Sequence, residues 1–164
     1  MLKPIASIVA LLALAVFGVP LAQAKTRHKS SAHKVTALVQ EAEISQTGSV
    51  PAAGSTVTNA GTNKSNVGGN GANVDHLTVT GPVAGGKIGF TGKGTAFFAH
   101  GSVSGKIQGT ATPQPDGTIN YAGTTTITAG TDRYKGAKGK ITFTGTSPGL
   151  GKVTTIHQTG TITY

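Results

Sequence analysis

The chain carries five acidic residues, Glu41, Glu43, Asp75, Asp116 and Asp132, few enough to weigh one by one. Acid–base work needs two titratable groups at one point, one giving a proton while the other takes it. Asp116 and Asp132 fall in turn-forming stretches, Glu41 and Glu43 precede a Gly/Asn/Ser/Thr-rich segment, and Asp75 begins a strand. Position along the chain sets up no pair for proton transfer, so the catalytic residues are unknown. Asp75 is the carboxyl to check against any cavity. His76, His100 and His157 raise the question of a metal site, which needs ligands converging on one point. His76 is opposite in parity to Leu77 and Val79, and His157 to Ile156, so both face water. Only His100, after Ala96 and Phe98, is placed to point inward, and no metal or other cofactor is expected. No serine has a Gly-x-Ser-x-Gly context. The stretch "NVGGNGANV" (66–74) lacks the Gly-Lys-Ser/Thr ending and following helix of a phosphate loop, and reads as linker.

Residues 1–24 have the pattern of an export signal. Lys3 precedes an apolar run at 5–19, and "PLAQA" (20–24) ends in an A-x-A cleavage pattern. The run is short for a bilayer core of roughly 30 Å, so cleavage after Ala24 is expected rather than a retained transmembrane anchor. The expected location is secreted or periplasmic. The remaining 140 residues suit one domain. They contain no cysteine, which leaves an ordinary hydrophobic core as the source of stability. Thirteen Lys and Arg against five acids leave a formal charge of +8 on residues 25–164. Such a balance favours anionic partners such as envelope polymers or lipid head groups. Nucleic acid is not expected, for want of any recognisable binding motif.

Three textures follow the leader. Residues 25–34 form a basic tail, 35–44 fit a helix or a strand through Val35, Ala37 and Val39, and 48–74 read as a flexible linker. Residues 25–73 are thus expected to be tail and linker, and 74–164 the folded domain. There, apolar and polar residues alternate with period two. Ile119, Tyr121, Thr125 and Ile127 share one parity, as do Ile141 and Phe143, and Ile156, Ile162 and Tyr164. Half-buried antiparallel strands require this alternation. Strands are predicted at 74–80, 87–91, 95–100, 102–112, 118–129, 138–146 and 153–164. Gly-Pro, Gly-Gly, Pro-Asp-Gly and Ser-Pro-Gly mark the turns between them. Short connections imply an all-β, antiparallel up-and-down barrel of about eight strands, closed because closure removes exposed edges. A β-solenoid is the alternative, disfavoured because the Gly-Thr rhythm has no fixed period. Phe90, Phe98, Tyr121, Ile127, Phe143 and Ile156 are the expected inward residues and the candidate pocket lining.

The most distinctive stretch is "GTDRYKGAKGKITFTGT" (130–146). Gly130, Gly136 and Gly139 shape a tight corner between two strands, in which Tyr134 can fold back to plug a barrel end. Arg133 can cap carbonyls or pair with Asp132. An anion patch of Arg133, Lys135, Lys138 and Lys140 competes with this reading. The structural corner is preferred, because Lys138 and Lys140 alternate with small and apolar residues as a solvated strand face does. Residues 127–146 resemble the strand–corner–strand signature of the allene oxide cyclase-like and dirigent-like barrels, through Gly130, Thr131, Arg133, Tyr134, Gly136, Ala137 and Gly139. Ala129 and Asp132 stand where that signature commonly has glycine. The resemblance implies an eight-stranded barrel with an apolar interior, like exported bacterial members of unassigned activity. The acids those families use lie outside the matched corner, so no catalytic role is carried over.

The functional expectation is a non-catalytic binding or surface module, taking a small apolar ligand inside or an envelope polyanion outside. The alternatives are a cofactor-free enzyme of the cyclase or dirigent type, with a buried carboxylate facing a cavity as its mark, and a structural coat or matrix protein.

Overall fold

The computed structural model describes residues 30–164, and the predicted export signal and most of the basic tail lie outside them. Eight strands follow one another: β1 (Ala32–Thr47), β2 (Thr56–Ser65), β3 (Gly69–Val83), β4 (Lys87–Phe98), β5 (Gly101–Pro113), β6 (Ile119–Gly130), β7 (Lys138–Ser147) and β8 (Thr154–Thr163). Each pairs antiparallel with the next, and β1 pairs with β8, so the sheet closes into an up-and-down barrel rather than a solenoid. Among the described residues there is no α-helix, only one 3-10 turn at Asp132–Tyr134.

Alternation holds through most of the wall. On β7, Ile141, Phe143 and Gly145 are buried while Lys140, Thr142 and Thr144 are exposed. The buried side chains form two clusters along the barrel axis. One joins Val35, Val103, Ile127, Ile141 and Ile162 to Tyr134 and Ala137, and the other joins Val39, Phe90, Ile107, Phe143 and Ile156. The stretches predicted at 87–91 and 95–100 are one strand, β4, because Gly92, Lys93 and Gly94 continue the ladder opposite Leu77, His76 and Asp75.

The N-terminal boundary is corrected. The barrel begins at Ala32 rather than residue 74, residues 35–44 are strand, and the expected linker is β2 and the first part of β3. The reason is visible in the register: Asn63, Ser65 and Asn73 are buried on the inward face, so the inside of these strands is as polar as the outside. No hydrophobic alternation betrays them.

The corner between β6 and β7 seals one end. Tyr134 is 1% exposed and Ala137 fully buried. The Tyr134 ring lies 5.8 Å from that of Phe98 and 5.0 Å from that of Tyr164. The turn is fixed by Tyr134 N–H donating to the Thr131 carbonyl (2.8 Å) and Ala137 N–H to the Tyr134 carbonyl (2.9 Å). A side chain at Gly130 would strike the Tyr134 carbonyl, so glycine lets the plug fold flat against the strand end. Arg133 is exposed, and its backbone N–H donates to the His100 carbonyl (3.2 Å). Asp132, where the resembling signature has glycine, takes φ 49 in the left-handed region that aspartate tolerates better than most residues.

Replacing Tyr134 by Ala removes a large, fully buried ring and is expected to cost about 3–5 kcal/mol in urea denaturation. Asp132→Gly relieves the left-handed backbone and is expected to be neutral or to gain up to about 1 kcal/mol. A loss below about 1 kcal/mol for Tyr134→Ala would mean that the plug does not hold the barrel end.

Candidate functional site

The end opposite the Tyr134 plug is open. A cavity of about 520 Å³ runs in from the loops between β1 and β2, β5 and β6, and β7 and β8, where Pro51, Gly117 and Leu150 form its rim. Its walls include Phe90, Tyr121, Phe143 and Ile156, four of the six predicted lining residues. The other two, Phe98 and Ile127, line a smaller chamber of about 80 Å³ nearer the plug. Asp75, Ile107, Thr125 and Gln158 border both spaces and form the neck between them.

On one side of this interior stands a polar wall built by β1, β2 and β3. Glu41 continues the inward parity of Val35 and Val39 and is 5% exposed. Its register partner on β2 is Gly61, whose own partner on β3 is Asn73. With no side chain between them, Asn73 reaches across and donates from Nδ2 to Glu41 Oε2 at 2.7 Å. Asn59 donates from Nδ2 to Glu41 Oε1 at 3.2 Å. Asp75 shares the inward face of β3 with Asn73. Opposite it on β4 is Gly94, where any Cβ would collide with Asp75 Oδ1. Gly94 thus leaves room for the Asp75 carboxyl, while Gly61 lets β2 lie close against the β1 backbone at Gln40 and Glu41.

The Glu41 and Asp75 carboxyls are neighbours, close enough to share a hydrogen bond when one of them is protonated. Burial pushes both above the usual carboxylate range. For Asp75 the neighbouring Glu41 charge and the shared hydrogen bond add to burial and bring it up to about 8. For Glu41 the bonds from Asn73, Asp75 and Asn59 oppose the rise. The arrangement favours one proton held between the two carboxyls, with Asp75 the more strongly raised, because two like charges at contact distance do not both ionise. Burial also raises Tyr121, which feels the Glu41 and Glu43 charges across the cavity. The sequence reading that no acids pair is therefore corrected. Residues 34 positions apart meet because β1, β2 and β3 are neighbours, and extending the Val35–Ala37–Val39 parity to Glu41 was the signal available.

The other sequence candidates do not converge. His76 and His157 are exposed, as expected. His100 is also exposed, in the β4–β5 turn, rather than pointing inward. Among the described residues no three His, Cys, Asp or Glu gather as a metal site. Arg133, Lys135, Lys138 and Lys140 all stand on the outside. Lys138 and Lys140 belong to a wider pattern. Lys93 pairs with Lys106, Lys106 with Thr126, Thr126 with Lys140, Lys140 with Thr161, and Thr161 with Lys34. Lysines on β4, β5, β7 and β1 thus form one belt around the outer wall. No family model matches the chain, and comparison with curated proteins and with solved structures finds no match. None of these comparisons supports the resemblance drawn at the β6–β7 corner.

The raised Asp75 pKa gives a signed pH dependence. Between the unfolded value near 3.8 and the folded value near 8, the folded state holds more protons than the unfolded state. Stability therefore falls as pH rises through this window, by up to about 1.4 kcal/mol per unit, and levels off above it. Asp75→Asn keeps the shape and removes the titration. Its denaturation midpoint is expected to match wild type near pH 4 and to exceed it at pH 8. Parallel pH profiles for the two proteins would show that Asp75 is not held protonated.

Proposed function

We propose that the barrel takes one small, largely apolar molecule into its open cavity and holds the molecule's polar end against Glu41 and Asp75. The observation that carries this reading is a roomy, mostly apolar cavity ending at a few convergent polar groups, the usual form of a small-molecule site. The neutral fluorescent probe N-phenyl-1-naphthylamine is expected to bind one to one with a blue-shifted, enhanced emission. Ala111 lines the cavity, and Ala111→Trp fills part of it, so this variant is expected to weaken binding at least ten-fold with an unchanged circular dichroism spectrum. No binding, or binding indifferent to Ala111→Trp, would remove the basis for an interior ligand.

The outer wall supports the polyanion part of the same reading. Among the described residues no carboxylate projects from the outer face of a strand. Glu41 and Asp75 face inward, Glu43 borders the cavity, and Asp116 and Asp132 lie in loops. Lys93 and Lys106 stand directly opposite each other, a like-charge pair that an anion relieves. In this reading the exported barrel is held at an anionic envelope polymer. Retention on a sulfated polysaccharide matrix is expected to fall steeply with salt and to drop sharply in a Lys93→Glu, Lys106→Glu, Lys140→Glu variant. Equal retention of that variant would place the attraction elsewhere.

One observation favours a second reading, cofactor-free catalysis. A carboxylic acid and a carboxylate in contact at the floor of an apolar cavity are suited to moving a proton on a bound substrate. Ring opening of 5-nitrobenzisoxazole, which reports a general base in an apolar site, is expected to be accelerated and to fall at least ten-fold in Glu41→Gln. Rates no greater than those of free carboxylate would leave the barrel a binding module.

A further inference from the structure

The carboxyl pair has a property that an ordinary polar anchor lacks: among the described residues it has no cationic partner. The groups acting on Glu41 are the amides of Asn59 and Asn73 and the Asp75 carboxyl, and those acting on Asp75 are burial and Glu41 alone. Among the described basic residues, only Lys152 lines either interior space, and it belongs to the β7–β8 loop at the mouth. The lysine belt faces outward. An unpaired charge in a poorly solvated interior is costly.

A second observation points the same way. Asn63 and Asn73 are 5% and 4% exposed, and both face the smaller chamber beside Asp75. The Oδ1 atom of each is buried without a hydrogen-bond partner. The orientation of Asn73 is fixed, because its Nδ2 is committed to Glu41. Asp75 thus stands at the neck, with Glu41 on the side of the larger cavity and Asn63 and Asn73, whose buried carbonyls lack donors, on the side of the smaller chamber. That excess of acceptors calls for a compact group that is positive and rich in donors.

We propose that the molecule held in the cavity is an apolar amine, with its ammonium group seated at the neck against Asp75 and the carbonyls of Asn63 and Asn73. The inference rests on the interior-ligand reading and adds the chemical class of the ligand. An ammonium supplies three donors and one charge, and the smaller chamber, about 80 Å³, has room for a head of that size. The hydrocarbon part lies in the 520 Å³ cavity among Phe90, Tyr121, Phe143 and Ile156. A bare calcium ion fits less well, because it takes six to eight oxygens and has no use for the apolar volume above it. As the ammonium enters, Asp75 gives its proton to the solvent, and the pair binds as two carboxylates with one cation. Among the described residues, the titratable groups lining this interior are Glu41 and Glu43 from β1, Asp75 from β3, Tyr121 from β6, Tyr134 from the 3-10 turn and Lys152 from the β7–β8 loop. The residues that β2, β4, β5, β7 and β8 add to the lining, among them Asn63, Gly94, Ile107, Phe143 and Gln158, are not titratable.

Calorimetry separates the possibilities, using octylamine, 1-octanol, octanoate and calcium chloride as probes in two buffers of different ionisation enthalpy. At pH 7 octylammonium is expected to bind at least ten-fold tighter than octanol, with octanoate weakest and close to one proton released per amine bound. Its affinity is expected to strengthen from pH 6 to pH 8 while that of octanol stays flat. Asp75→Asn is expected to bring octylammonium down to the octanol level and abolish the proton release. If octanol or octanoate binds as well as the amine, or calcium alone releases the proton and blocks the amine, the proposal is overturned while the cavity reading stands. If none of the organic probes binds, the cavity reading itself falls.

Discussion

The ladder between β1 and β8 makes an inside. Residues Ala32 to Glu41 pair with Thr163 to Thr154, giving β1 a partner on each side. The inward parity of β1 then faces an enclosed space, in which Val35 and Val39 pack and Glu41 is held away from water. In an open sheet β1 would be an edge, and Glu41 would be an ordinary solvated carboxylate. Closure also brings β2 and β3, with their asparagines, opposite the aromatic strands. The cavity, the elevated acid and the segregation of charge all follow from that seam.

The enclosed space is divided unevenly. From β4 to β8 the inward positions include the buried Phe90, Ile107, Ile119, Ile127, Phe143, Ile156 and Ile162, with Thr125 and Gln158 as polar exceptions. From β1 to β3 they include Glu41, Asn63, Ser65, Asn73 and Asp75. One wall therefore supplies cohesion and the other supplies polarity. Gly94 is the adjustment between these demands, because it gives up side-chain packing where the Asp75 carboxyl needs the volume. The outside mirrors this division, with lysines on the strands and carboxyls kept to the interior, the mouth and the loops.

This division also explains what could be read from the residues alone. The apolar wall announces itself, since Ile141 and Phe143 between Lys140, Thr142 and Thr144 are unambiguous as a half-buried strand. The Tyr134 corner is equally legible, because its glycines and lone aromatic leave little else for the segment to be. The polar wall is hidden by the same physics that makes it interesting. Along β2, inward Asn59, Gly61, Asn63 and Ser65 alternate with outward Thr58, Ala60, Thr62 and Lys64, so a hydrophobicity rule sees no period and reads a linker. The encounter of Glu41 with Asp75 depends on strand neighbours and register, which no local spacing encodes. His100 went astray for a smaller reason: β4 ends at Phe98, two residues before it, so strand parity no longer applies there.

Whether the polar wall is structural or functional can be argued from what it costs. A barrel needs no buried acids to close, and leucine at position 41 would join Val35 and Val39 with less desolvation. The asparagines do not offset that cost fully, since two amide carbonyls are left without donors while two amide N–H groups serve Glu41. A network built for stability would pair all its members, because a partly satisfied one is worse than an apolar core. This network is satisfied where it holds Glu41 in place and unsatisfied where it faces the chamber beside Asp75. That asymmetry is the mark of a surface arranged toward something other than itself. Among the described residues nothing supplies the missing donors, and the side chains that lack them lie beside the chamber that continues the route from the open mouth.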